Sequence, residues 1–523
     1  VCDASGTKRA VLSTDSVLPG RPPVTLLACP ACGTAFLADR TPPDYGMDVD
    51  RLLDYYVEQG AGIDLLVAPL LRLPGGTIRR CLEIGCSAGF ALDFGRFAFG
   101  WDVLGVDPSP LATAGAAALS FPVRRDYLRA DLDLGPEPFD LAICSEVLEH
   151  LPEPYALLAA IRERLTADGI LVLSTPNLAL VRPDAERQAL HRALSPGFHL
   201  VLYSRDALAR VLTEAGFAAV QIEASPETLR VFAGRSRDAL AGLQPADPAA
   251  ARALLRDYFA TRAASAEKAS AFACGFAYRH FKECVNAGLY PAAEASRERL
   301  AAIYRERYAL DLETPELTAG RALPFNLTGA LFFSGILELN GLARPDRAAA
   351  AFAAAVAAEA RQQGSASPFA LRDGETAELA AQSRKHLPMA LAATDPDRAV
   401  AAIEALGRAS LEEALSPTLL AQARAQTFIR LVNAGAYAAA ERLAAEIPDL
   451  AGAATETAVA TEALDALYCL AMLALQRERP GEAAELFARV DRLAGGRAEI
   501  RGSARLHEEL SLRQAAHLAA GPR

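Results

Sequence analysis

Between Arg80 and Ala233, apolar runs of strand length alternate with amphipathic runs of helix length, and that alternation leaves few folds open. Strands separated by helices line up in parallel, and the helices cover the faces of the resulting sheet. The runs are Arg80–Ile84, Asp102–Val106, Val123–Arg125, Leu141–Ser145, Ile170–Ser174, Val220–Glu223 and Leu229–Ala233. After Gly234 the texture changes to Ala- and Leu-rich helical periodicity broken by Gly, Pro and Asp, and it stays so to Arg523. A chain of 523 residues is too long for one ordinary core. The spacing divides it into a short Cys-containing segment (1–45), an α/β domain (46–235) and an all-α region (236–523).

The helical region resembles itself weakly. Leu331–Leu339, followed by Arg344-Pro345-Asp346 and Phe352, parallels Leu467–Leu475, followed by Arg479-Pro480-Gly481 and Phe487. Asn286-Ala287-Gly288-Leu289-Tyr290 is echoed by Asn433-Ala434-Gly435-Ala436-Tyr437. Helix, turn and helix at a fixed interval resemble degenerate tetratricopeptide-type repeats. An irregular helical bundle is the alternative, since Ala-rich sequence matches itself by chance.

Charge and apolar content narrow the function classes. The formal net charge is -11, which argues against a nucleic-acid binder. No apolar run is long enough to span a membrane, and Val1–Arg9 has no signal-peptide core. Nine scattered cysteines, several inside strand-like runs, suit a reducing compartment, so a cytoplasmic setting is expected.

The chemistry concentrates in Arg80-Cys81-Leu82-Glu83-Ile84-Gly85-Cys86-Ser87-Ala88-Gly89-Phe90. An apolar strand runs into a tight glycine turn and then a helix, an arrangement that turns backbone amides toward a bound nucleoside. Asp107 ends the next strand, 22 residues after Gly85, where a carboxylate can accept both ribose hydroxyls. The glycine spacing is not the G-x-G-x-x-G of dinucleotide sites, and Glu83 places an acid beside the loop. That acid would repel a pyrophosphate and suit a cation, which disfavours a nicotinamide oxidoreductase.

From Leu82 to Gly216, including Phe139–Leu151 and Ala167–Asn177, the chain resembles the class I S-adenosylmethionine-dependent methyltransferases. The resemblance implies a Rossmann-like, seven-stranded, mostly parallel sheet with its last strand antiparallel. It implies that Glu83, Gly85, Cys86, Ser87 and Gly89 hold the methionine portion of S-adenosylmethionine and Asp107 the ribose. Asp126 would meet the adenine amine, and Ser145, Glu146 and Val147 would line the site. Ser87 stands where family members commonly carry a third glycine, so a positive φ there would be strained. An acid at a strand end can also be a simple cap, a reading open for both Asp107 and Asp126.

Methyl transfer from a sulfonium needs alignment and exclusion of water more than acid–base help. A hydroxyl acceptor, protonated at neutral pH, also calls for a base. His199 and His150 are the candidates, with Glu149 in reserve; a structural or capping role is the alternative for each histidine. The expected acceptor is a small molecule or glycan, with carbohydrate oxygen favoured. That preference rests on a resemblance: Cys29-Pro30-Ala31-Cys32-Gly33, half of a zinc knuckle whose partner half reads Cys2-x-x-Ser5, with Tyr55-Tyr56 beyond it, resembles the N-terminal zinc ribbon of some methyltransferases acting on nucleotide-linked or polymeric sugars. With the fourth sulfur missing, zinc is possible but not favoured. The competing reading is an interaction scaffold in which the helical region docks a protein partner and the α/β domain is a passenger.

Overall fold

All seven apolar runs become strands of one sheet in the computed structural model of the chain. The structure describes residues 8–16, 22–42, 53–59, 63–182, 185, 190, 193–267, 269–318, 322–363, 374–412, 416–445, 447, 457–494 and 498–520. Three short strands come first: β1 (Arg9–Thr14), β2 (Val24–Ala28) and β3 (Ala35–Leu37). The seven-stranded sheet uses β4 (Arg80–Ile84), β5 (Asp102–Val106), β6 (Val123–Arg124), β7 (Phe139–Ser145), β8 (Leu165–Pro176), β10 (Ala219–Ala224) and β11 (Thr228–Gly234). Between them lies β9 (Val201–Leu202), which belongs to the other sheet.

The order across the sheet is β10-β11-β8-β7-β4-β5-β6. The pairs among β4 to β8 are parallel, and β11 runs antiparallel to both β8 and β10. This is the Rossmann-like α/β arrangement with an antiparallel last strand. The chain builds outward from β4 to β5 and β6, then returns to build β7 and β8 on the other side. The strand order thus reverses between β4 and β7, and the crevice at the carboxyl ends of such a switch point is where open α/β sheets bind ligands.

Two features depart from the expected layout. β8 starts five residues earlier than its apolar run, and the register slips between Phe139↔Leu165 and Leu141↔Ile170. The polar residues Thr166–Gly169 are accommodated in that irregularity, while Ile170–Leu173 return to the core. The N-terminal segment also does not stand alone. β1, β2 and β3 pair antiparallel, and β3 pairs with β9 through Ala35↔Leu202 and Phe36↔Val201. Cys29 and Cys32 sit, buried, on the β2–β3 turn, with Lys8 Nζ 3.5 Å from Cys29 Sγ. The Cys2-x-x-Ser5 half of the expected knuckle lies outside the described residues.

The helical region forms successive hairpins, and both sequence echoes fall on them. At Gly288 and Gly435 the same turn recurs: each glycine N–H donates to the residue three before it, and the next N–H to the residue five before it. Phe352 and Phe487, the paired aromatics, are both fully buried. No described helix is long and apolar enough to cross a membrane.

The helix Phe90–Phe99 (FALDFGRFAF) joins the two parts. It is apolar on nearly every side, and such a helix must be covered all round. One face packs on the sheet; the other meets the helices Pro248–Ser265 and Ala271–Asn286. Phe90 packs edge-on against Phe276 (5.8 Å between centroids), and Phe94 and Phe97 each lie 5.4 Å from Tyr258. Buried Asp93 accepts from Tyr258 Oη (2.9 Å) and from Arg262 Nε and Nη2 (2.7 Å each). One hydrophobic core runs from β4 and this helix into the helical region.

Candidate active site

The turn after β4 is shaped by what it cannot accommodate. Gly85 has φ +70°, and a Cβ there would lie 2.4 Å from Val147 Cγ2; Gly89 has φ +76°, and its Cβ would lie 2.1 Å from Phe121 Cε1. Both positions need left-handed backbone and close approach, so glycine is required. The contact with Val147 also shows that the post-β4 and post-β7 turns touch. Ser87, the missing third glycine, does adopt a positive φ of 46°, a strain of about 1–2 kcal/mol. The bond from its N–H to Asp107 Oδ2 (2.8 Å) holds it there. Gly89 is the N-cap of the helix Phe90–Phe99 and offers no side chain to cap it; the Leu92 amide of its first turn is engaged by the Glu83 carboxyl.

Asp107 is buried at the end of β5, its other oxygen accepting from the Ser109 N–H at 2.7 Å. Each oxygen retains a lone pair for a ribose hydroxyl. Glu83 lies beneath the turn, fully buried, with Oε2 accepting no hydrogen bond. Burial first, and then the neighbouring Asp107, push its carboxyl well above the ordinary carboxylate range. A cation bound in the turn above it would favour its ionised form. Cys86 is buried, its thiol pushed up by burial and by Glu83. Asp126, after β6, is solvent-facing and forked onto Arg129 (2.7 and 3.1 Å), which holds its carboxyl below the usual range. An adenine amine would share that carboxylate with Arg129.

On the other side of the crevice, β7 ends at Ser145. Glu146 follows with φ 54° and accepts from Ser174 Oγ at 2.8 Å. A non-glycine residue in left-handed backbone at a strand end is a place where strain and function coincide.

Four residues after Ser145, three expected base candidates converge. Glu149 is fully buried; its Oε2 accepts from Thr175 Oγ1 (2.9 Å), and its Oε1 lies 3.9 Å from both His150 Nε2 and His199 Nε2. The Leu200 N–H donates to the Glu149 carbonyl (2.8 Å), locking the two segments together. His150 Nδ1 faces the Phe198 carbonyl at 3.0 Å and His199 Nδ1 the Ala193 carbonyl at 2.7 Å. A carbonyl can only accept, so both Nδ1 atoms carry protons, and both Nε2 atoms face Glu149. Burial lowers the His150 pKa to about 4. Burial, and then Glu146, raise Glu149 well above the carboxylate range. The side-chain ligand atoms of Glu149, His150 and His199 all lie within 4.8 Å of one another, close enough to hold a metal ion. The sequence pointed to each residue as a base; a shared cluster was not visible in it, because His199 is 50 positions from Glu149.

Residues 49–222 match the model of a family described as a methyltransferase domain. Among curated relatives, a ubiquinone biosynthesis O-methyltransferase of Cereibacter sphaeroides is 36% identical over 131 residues, covering 24% of this chain and 51% of that one. One from Photobacterium profundum is 31% identical over 105 residues, covering 19% and 44%. The chain spans about half the length of these relatives. An O-methyltransferase family protein from Burkholderia thailandensis overlaps 38% of this chain and 65% of its own, at 16% identity and a TM-score of 0.32, and adds nothing to the assignment. Strand order, glycine turn and family match together define a class I, S-adenosylmethionine-dependent methyltransferase domain. The residues fit that donor: the turn admits no side chain at two points, an acid without a hydrogen bond at one oxygen lies beneath it, and a carboxylate with free lone pairs ends the next strand.

Proposed function

We propose that the whole chain is an S-adenosylmethionine-dependent methyltransferase that methylates an oxygen of a hydroxyl-bearing small molecule, sugars included. The observation that supports this best is the Glu149/His150/His199 cluster, which follows directly on the donor-lining residues Ser145–Val147. The names of the relatives carry the same O-methyl chemistry. When bound, the donor supplies a methyl group on a cationic sulfur that leaves as a neutral thioether. Gly85, Cys86, Ser87 and Gly89 receive its methionine portion, Asp107 the ribose hydroxyls and Asp126 the adenine amine. His199 Nε2 takes the acceptor's hydroxyl proton, its ring fixed by the Nδ1–H bond to Ala193. Glu149, with Oε1 3.9 Å from that nitrogen, flanks the ring, and His150, edge-on to His199 at 4.9 Å, covers its other side. The helical half, read as tetratricopeptide-like hairpins, serves this enzyme by completing its core.

Purified chain should turn over donor with a panel of sugars, nucleotide sugars and phenols, and His199→Ala should lower kcat by about 100-fold or more. Unchanged kcat in that variant, within a few-fold, removes His199 from catalysis. A second reading has Glu149, His150 and His199 hold a divalent cation, which would favour an ionised acceptor. The Glu149 Oε1 atom, which accepts no hydrogen bond, supports it. Chelator treatment followed by add-back of manganese, magnesium or zinc decides between the two.

A further inference from the structure

We propose that Arg279, in the helical half, is a positioning residue for the donor site, tying the Tyr55–Gln59 turn to the helix that opens at Gly89. Its side chain is buried and does two things at once. Nη2 donates to the Val57 carbonyl at 2.9 Å, and the guanidinium lies over the Phe90 ring, 5.4 Å from its centroid. A buried guanidinium needs such partners to offset its lost hydration. The approach is close: a Cβ on Gly275, one turn earlier on the same helix, would lie 2.1 Å from the Val57 carbonyl oxygen.

Other residues of the helical half hold the Tyr55–Gln59 turn together with Arg279. Glu58 Oε1 accepts from Arg307 Nε (3.3 Å) and from Tyr308 Oη, its Oε2 accepts from the Phe325 N–H (3.1 Å), and its carbonyl accepts from Asn326 Nδ2 (3.0 Å). Arg279 is distinctive because it also reaches Phe90, the residue after Gly89. Gly89 in turn closes the loop through its N–H bond to the Cys86 carbonyl (2.7 Å). Phe90 is flanked by Phe272 and Phe276 from the same helix as Arg279. A shift of that helix is therefore felt together at the turn and at the end of the donor loop.

The proposal rests on the donor reading above, and its test separates the two. Full-length Arg279→Met and Arg279→Lys chains would be compared with the unaltered chain by hydrogen–deuterium exchange and by calorimetric titration with S-adenosylhomocysteine. In Arg279→Met, exchange should rise in both 53–59 and 85–94, and the Kd should weaken about tenfold, the equivalent of one charge-assisted hydrogen bond. Lysine keeps the charge without the planar fork and should recover less than half of the loss. If Arg279→Met does not fold, Phe90→Leu should give the same exchange change in 85–94. Loosening of 53–59 alone, or an unchanged Kd, overturns the proposal. An unaltered chain that binds no S-adenosylhomocysteine overturns the donor reading instead, and the exchange data then decide the role of Arg279.

Discussion

Asp107→Asn tests the donor site at the side chain with the most to lose. Both carboxylate oxygens accept backbone N–H bonds, from Ser87 at 2.8 Å and Ser109 at 2.7 Å. Asparagine keeps the shape but supplies one oxygen; its NH2 must face one of the two amides, donor against donor. Leaving one amide unsatisfied costs about 1–3 kcal/mol. If that amide belongs to Ser87, the left-handed residue loses what holds it, and the loop can relax out of its binding shape. The ribose hydroxyls also lose an ionised acceptor, about 1 kcal/mol more. A total of about 2–4 kcal/mol corresponds to roughly 30- to 1000-fold weaker binding. Calorimetry with S-adenosylhomocysteine reads this directly, with circular dichroism confirming that the variant is folded. A Kd within threefold of the unaltered protein would refute the assignment of Asp107 to the donor.

Gly89→Ala combines left-handed strain of about 1 kcal/mol with displacement of the Phe121 ring, about 1–3 kcal/mol more, so its denaturation midpoint should fall along with S-adenosylhomocysteine affinity. Arg262→Ala leaves Asp93 buried without its ion pair; a loss of about 3–5 kcal/mol is expected, visible as a melting temperature several degrees lower, with Asp93→Asn milder because Tyr258 still donates. Burial raises Glu58 from 4.5 to about 7. A carboxyl with a raised folded-state pKa stabilises fully below its unfolded value and loses that contribution as pH rises through the folded one. Unfolding free energies of the wild type from urea titrations should accordingly fall between pH 5 and 8, by up to about 3 kcal/mol, while Glu58→Gln, though less stable overall, should show a flatter profile.

Much of the fold was legible because its signals are local. Each strand of the main sheet except the two-residue β6 is a run with at least two core-facing residues ended by Gly, Pro or a charge, and the glycine turn states its own backbone requirement. What stayed hidden is non-local. β9 is two residues long, too short for any periodicity, yet it fastens the N-terminal strands to the α/β domain. The extension of β8 through Thr166–Gly169 reads as a turn, because polar residues absorbed by an irregular register look like a loop. The aromatic outer face of Phe90–Phe99 was a usable sign, since a helix exposed on one side would not carry Phe at 90, 94 and 97. Glu83 was legible as an acid, but the upward push on its carboxyl was not, because burial sets it.

That same helix bears on whether the α/β domain is a passenger on a helical scaffold. Two carboxylates, Asp93 and Glu58, are buried in one half and find their cationic partners, Arg262 and Arg307, in the other. An uncompensated buried charge costs several kcal/mol, so neither half can shed its neighbour without rehydrating or protonating those acids. Three phenylalanines would be uncovered at the same time. A docking appendage needs none of this; a linker and a modest polar contact would suffice. The charges that tie the halves together lie on the turn before the domain and on the helix that starts at the donor loop, so whatever positions the helical half also positions Gly89.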